Sequence, residues 1–207
     1  IYIRAFAWRE VVLPTLQQVC RDPLYATMEE ALLQMEFRGT LGDDYILESF
    51  LRLPAVLSSP SHTSLRWGPS MSEVRDAESG AFLTTPCIES EEDLSMLVPP
   101  THSIDEGATQ ERFMKASDAI GDILPIVMDR FPLYCDFIAD ISTELAKLRG
   151  LEQMMLDMYD NPDLLHRLAG FLRDGTIRVR DQAEAAGDLR MINSSNQAMA
   201  YATELAD

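Results

Sequence analysis

The stretch Leu148–Leu168, LRGLEQMMLDMYDNPDLLHRL, constrains the fold more than any other part of the chain. It reads as two helices joined at Asp160-Asn161-Pro162. Asn161 suits an N-cap, because its side-chain oxygen accepts from a backbone N–H that has no helical partner. Pro162 then takes the first helical position, where its missing donor is not needed. Asp163 places negative charge at the positive end of the helix dipole. After the junction Leu164, Leu165, Leu168, Phe171 and Leu172 fall on one apolar face. Before it Leu148, Leu151, Met154, Met155 and Met158 do the same. The spacing predicts two packed amphipathic helices, the second running to Ala186 with Gly187 as its stop.

With 207 residues, a single domain spanning 1–207 is expected, with chain enough to bury a core. Seventeen basic against 34 acidic residues give a net charge of −17, a surface that repels nucleic acid and anionic membranes. No apolar run approaches the roughly 18 residues of a membrane span. Cys20, Cys87 and Cys135 form no Cys-x-x-Cys pair and no disulfide framework, so a reduced, cytoplasmic compartment is expected. The eleven methionines, among them Met28, Met35, Met154, Met155 and Met158, fall mostly at helical core spacing and read as packing. Residues 71–112 carry ten acids and two bases, the pattern of a solvated face.

Along the chain, residues 8–20 predict a helix broken by Pro14. Asp22-Pro23 opens another to about Arg38, with Leu24, Met28, Ala31, Leu32 and Met35 inward and Gly39 and Gly42 at its end. Tyr45–Leu57 favours extended structure, and 58–80 reads as a long loop or hairpin around Trp67-Gly68. Ala81–Thr85 reads as a short strand. Ser90-Glu91-Glu92-Asp93 opens a short helix in the manner of a capping box, stopped by Pro99-Pro100. A helix is predicted from about Asp105 to Ala119, a buried strand over Ile123–Met128, a helix over Asp136–Arg149 and a further strand beginning at Met191-Ile192-Asn193. From Ile123 onward the order is strand, helices, strand, which points to a parallel sheet and, most economically, to an α/β fold of the TIM (β/α)8-barrel type. A full barrel takes about 250 residues. The expectation is therefore an incomplete barrel, the N-terminal half to two-thirds of one, with extra N-terminal helices.

Arg149-Gly150, Leu156 to Asp160, Pro162 and His166 resemble the uroporphyrinogen decarboxylase-like superfamily, which carries a similar "R-G … D-L-Y-D-D-P-E" stretch followed by a helix histidine. The resemblance covers about twenty residues closely. It implies the same barrel, a small-molecule substrate and one of two chemistries. The first is cofactor-independent decarboxylation of a porphyrinogen or related acidic substrate. There an aspartate in a short "F-S-D-I-L" stretch faces the pyrrole nitrogens and holds the cation formed when a ring is protonated. Gly42-Asp43-Asp44-Tyr45-Ile46-Leu47 is similar, with Asp44 the better match and Asp43 the second. A fixed carboxylate in a dry pocket suits that task, while a pair of solvated turn acids is the plain alternative. The family's "R-Q-A-G-R-Y" motif grips substrate carboxylates. The nearest stretch, Arg4 to Glu10, makes Arg4 and Arg9 the substrate-binding candidates or surface residues. The "G-x-P-F-T" segment is matched only by Phe131-Pro132-Leu133, and Ile138 stands near the position of the family's substrate tyrosine.

The second chemistry is methyl transfer to a thiol, zinc-dependent and linked to a corrinoid protein. Its His-x-Cys zinc pair does not occur in this sequence, so no metal ligand is assigned and zinc is expected only from ligands beyond Asp207. A corrinoid protein and a homodimer are the partners the resemblance admits, and a catalytically silent binding relative is the third reading. His62 and His102 lie in loops with no acidic or cysteine partner at metal spacing, His166 matches the family's helix histidine, and all three read as structural. No Gly-rich phosphate loop, G-x-S-x-G or H-E-x-x-H is present.

Overall fold

A computed structural model describes residues 12–42, 47–58, 67–68, 73–75, 82–132, 141–189 and 192. By compactness the chain divides into two units. One comprises Ile1–Val56, Ile104–Arg130 and Arg190–Asp207, and the other Leu57–Ser103 and Phe131–Leu189.

In the first unit, helix α1 spans Pro23–Thr40. The Asp22 carboxylate accepts from the backbone N–H of Leu24 at 2.9 Å and of Tyr25 at 3.3 Å. Asp22→Ala is expected to cost about 1 kcal/mol, read as a lower urea midpoint with unchanged slope. Strand β1, Leu51–Pro54, turns Leu51 and Leu53 inward and leaves Arg52 and Pro54 exposed, the two-residue period of a half-buried strand. With Met28 and Ala116 these two leucines form the unit's core, flanked by Leu24, Leu32, Ile126 and Met128. Parallel strands need a crossover, and helix α2, Glu106–Ile120, supplies it. Asp105 caps α2 by accepting from Ala108 N–H at 2.9 Å. The Val56 carbonyl accepts from Asp105 N–H at 2.8 Å, and Val56 N–H donates to the Thr109 hydroxyl at 3.0 Å, so α2 starts where β1 ends.

In the second unit, strands β2 (Glu73–Arg75) and β3 (Phe82–Thr84) pair antiparallel. The expected loop or hairpin around Trp67-Gly68 lies mostly outside the described residues; the antiparallel pair that is described joins Glu73–Arg75 to Phe82–Thr84. In the first unit, β4 (Ile126–Asp129) pairs parallel with β1, Leu51 opposite Ile126 and Pro54 opposite Asp129. Helices α3 (Ile141–Arg149), α4 (Leu151–Asp160) and α5 (Pro162–Ala186) pack on one another within the second unit. Asn161 closes α4 and opens α5, accepting from Leu164 N–H at 3.3 Å. Gly187 ends α5 in the left-handed conformation with φ 72°. Leu164, Leu168, Leu172, Val179 and Ala183 are buried along one face of α5.

The Arg149-Gly150 turn is built for close approach. Gly150 has φ 85°, and a Cβ there would lie 2.9 Å from Pro86 Cγ. The backbone N–H groups of Cys87 and Ile88 both donate to the Leu148 carbonyl, at 3.0 and 2.9 Å. Arg149 then turns inward, donating to Asp157 through Nε and Nη2 and to the Ile88 and Glu89 carbonyls through Nη1. Both members of this pair are buried.

Two expectations are corrected. The chain is not a TIM-type barrel, complete or incomplete. Among the described residues one parallel sheet exists and it has two strands, β1 and β4, while the other pair is an antiparallel hairpin and most of the remaining structure is helical. A barrel strand needs a parallel neighbour on each side. Here Phe82–Thr84 pairs in a hairpin, and the described part of 45–57 holds one four-residue strand, Leu51–Pro54. The further strand expected at Met191–Asn193 lies outside the described residues apart from Ile192. The inward face of α4 is also not the one expected. Leu148 is fully buried, but Leu151, Met155 and Met158 are more than half exposed. The buried position on α4 is Asp157, drawn in by Arg149. Among the described residues no helix is long and apolar enough to cross a membrane.

Candidate functional site

Charge gathers at the carboxyl end of the parallel pair. Arg52, on the exposed face of β1, forms an ion pair with the buried carboxylate of Asp129, the last residue of β4. The next residue, Arg130, reaches Glu106 in the first turn of α2 through both terminal nitrogens, at 2.9 Å for Nη1. Arg112, two turns along α2, donates from Nη1 to the Pro54 carbonyl at 2.8 Å. Three arginines thus meet two carboxylates at one edge, in a chain with twice as many acids as bases.

Beside this edge opens a cleft of about 640 Å³, within the range of small-molecule sites. Its floor is Leu53, Pro54 and Val56. Its walls are the first turn of α1 and the Ala108–Lys115 face of α2, with Arg112 and Lys115 as the bases and Asp22 and Glu111 as the acids. Lys115 Nζ lies 2.7 Å from Glu111; the pairing lowers the Glu111 carboxyl below its usual range and raises the Lys115 ammonium above its own. The topology directs attention here as well. In open α/β sheets ligands bind outside the carboxyl ends of the strands. The two long excursions of this chain, Leu57–Ser103 and Phe131–Leu189, begin three and two residues after those ends.

Glu48 lies three residues before β1. Burial holds its carboxyl above the usual range, and its Oε1 is buried with no hydrogen-bond partner among the described residues. Such a group favours its protonated form.

The four residues singled out from sequence, Asp44, Asp43, Arg4 and Arg9, lie outside the described residues, as do His62 and Cys135. His102 is buried with Nε2 2.8 Å from Asp188 Oδ2, while its backbone N–H donates to Gln182 at 2.8 Å. This fixes the chain at the end of α5, and the partner stands 86 residues away, which no spacing rule reveals. His166 is exposed on α5. Cys20 is exposed and Cys87 half-buried; partial desolvation together with the Glu29 carboxylate raises the Cys20 thiol above its ordinary range, and burial raises that of Cys87. Among the described residues no three His, Cys, Asp or Glu side chains come together as a metal site.

Sequence reasoning missed Arg52, Asp129, Arg130, Glu106 and Arg112. A signal for two of them was present, since the apolar run Ile123–Met128 ends abruptly in Asp129-Arg130. Comparison with family models, with curated proteins and with solved structures finds no match.

Proposed function

We propose that the chain is an enzyme acting on a small acidic substrate, bound at the carboxyl end of β1 and β4 and decarboxylated without a cofactor. The observation that carries this reading is the arginine-rich edge and its cleft. Arg52 and Arg130 are partly exposed and already hold carboxylates in the geometry a substrate carboxylate would take. The resemblance of Leu148–Leu168 to uroporphyrinogen decarboxylases supplies the reaction. Its two best-matched polar residues, Arg149 and Asp157, are those that lock the second unit.

In such a reaction a proton adds to an electron-rich ring carbon and leaves a cation. The bond to the carboxylate then breaks, CO2 departs, and its electron pair neutralises the ring. A second proton completes the methyl group at the former carboxymethyl carbon while the ring returns its own. Asp44 is proposed as the charge that stabilises the cation, with Asp43 as the alternative. Arg4 and Arg9 are the proposed additional carboxylate contacts.

The test is trapping of labelled CO2 from carboxyl-labelled uroporphyrinogen and from simpler pyrrole carboxylates, with and without a chelator. Release that survives the chelator is expected. No release from any of these substrates contradicts the reading. Chelator-sensitive methyl transfer to a thiol would replace it with the methyltransferase.

A further inference from the structure

The outward side of α4 is an exposed apolar surface that packs against none of the core clusters among the described residues. Leu151, Met155, Met158 and Tyr159 follow at i, i+4, i+7 and i+8, and Leu156 widens the stripe. Their exposures are 61, 59, 57, 91 and 49 %. A helix normally turns such a stripe inward. On α4 the inward place is held by Asp157 and its bonds to Arg149 and Gln153. The apolar side is therefore left to solvent by a specific buried ion pair, and contiguous exposed apolar area of this kind marks an interaction surface.

We propose that this face of α4 docks a basic amphipathic helix of a partner protein. Charge selects the partner. The exposed charged residues of α4 are Glu152 and Asp160, both acidic, and the chain as a whole carries −17. A second copy laid antiparallel on the same face would bring Glu152 of one copy toward Asp160 of the other, and an anionic membrane is repelled for the same reason. A basic segment gains where those two lose. Shape selects a helix. The stripe is about 15 Å long, from ten residues at the helical rise. Its spacing matches the i, i+4, i+7 anchors of helix-in-groove recognition, and α4 offers no open backbone edge for a strand. Methionine side chains adapt to such partners because their unbranched chains repack at low strain. Alongside runs a groove of about 870 Å³ lined by Pro86, Ala146, Lys147, Leu151, Glu152 and Leu156, with Arg149 at its side held by Asp157, which gives the partner's apolar side chains a place to enter. The Lys147 ammonium lies 3.7 Å from Glu144.

The probe is a fluorescent 18-residue peptide of leucine and lysine in helical register, with a same-composition peptide of scrambled register as control. Both are titrated against the full chain at low and physiological salt. The amphipathic peptide is expected to bind with micromolar affinity and the scrambled one about tenfold more weakly or worse. The pair Met155→Gln and Tyr159→Gln, with unchanged melting temperature, is expected to abolish the difference. Equal binding of the two peptides, or a difference that survives the double substitution, overturns the proposal. So does a sedimenting dimer that the double substitution turns into monomer, because the face then belongs to a second copy.

Discussion

Arg149→Ala is expected to remove about 3–5 kcal/mol from the unit formed by Leu57–Ser103 and Phe131–Leu189, because it leaves the buried Asp157 carboxylate without its cation. The guanidinium serves two carboxylate oxygens and two backbone carbonyls at once, joining α3, α4 and the Ile88-Glu89 segment. Lysine has one nitrogen on a flexible stem and cannot span these acceptors, so Arg149→Lys is expected to recover only a small part of the loss. Replacing both residues with apolar side chains of similar volume is expected to cost far less than either single change, since no charge is then stranded. The pH dependence follows from the same pair. The Arg149 hydrogen bonds hold the Asp157 carboxyl below its usual range. Its stabilisation is therefore present above the unfolded-state value of about 3.9 and is lost as pH falls through the lower folded-state value. Urea melts of wild type and Asp157→Asn across the acid range check this. The variant should be less stable at neutral pH and show a flatter acid limb.

Trp67→Ala is expected to cost about 3–5 kcal/mol in the same unit, by opening a cavity among Ile88, Leu97, Leu148, Leu168 and Leu172 and by taking the indole donor from buried Glu144. The indole packs edge-on against Phe171 with centroids 5.9 Å apart. Gly175 makes room for it in the middle of α5, where a Cβ would stand 2.6 Å from Cζ3 of the ring. Glycine inside a helix ordinarily costs about 1 kcal/mol against alanine. Gly175→Ala is nevertheless expected to destabilise by about 1–3 kcal/mol, because neither the ring nor the helix backbone can yield. In the Trp67→Ala background the same change is expected to stabilise. That reversal of sign in a double-mutant cycle by urea unfolding is the measurable mark of the contact.

Helix boundaries were legible where side chains or glycine punctuate the chain. Asp22-Pro23, Asp105, Asn161-Pro162 and Gly187 each stand where a helix begins or ends. The buried face of α5 was legible for the same local reason, a single uninterrupted stripe. The face of α4 was not, because apolar spacing alone cannot register that a charged residue will be buried when an arginine eight residues earlier reaches it. The barrel expectation failed for a related reason. Local pattern marks a strand, but the number and direction of its neighbours are non-local, and β1 finds β4 across an intervening excursion of some seventy residues. The site divides in the same way. Asp44, Asp43, Arg4 and Arg9 were read from resemblance and lie outside the described residues. Arg52, Asp129, Glu106, Arg130 and Arg112 become a group only when β1, β4 and α2 meet.

The most direct test is the rate of CO2 release from an acidic porphyrinogen by Asp44→Asn, alongside Asp43→Asn and wild type, with melting temperatures unchanged. Loss of a charge that stabilises the transition state predicts a rate about 10²–10³-fold lower for Asp44→Asn at similar KM, with Asp43→Asn much less affected. An Asp44→Asn chain that releases CO2 at the wild-type rate would contradict the assignment.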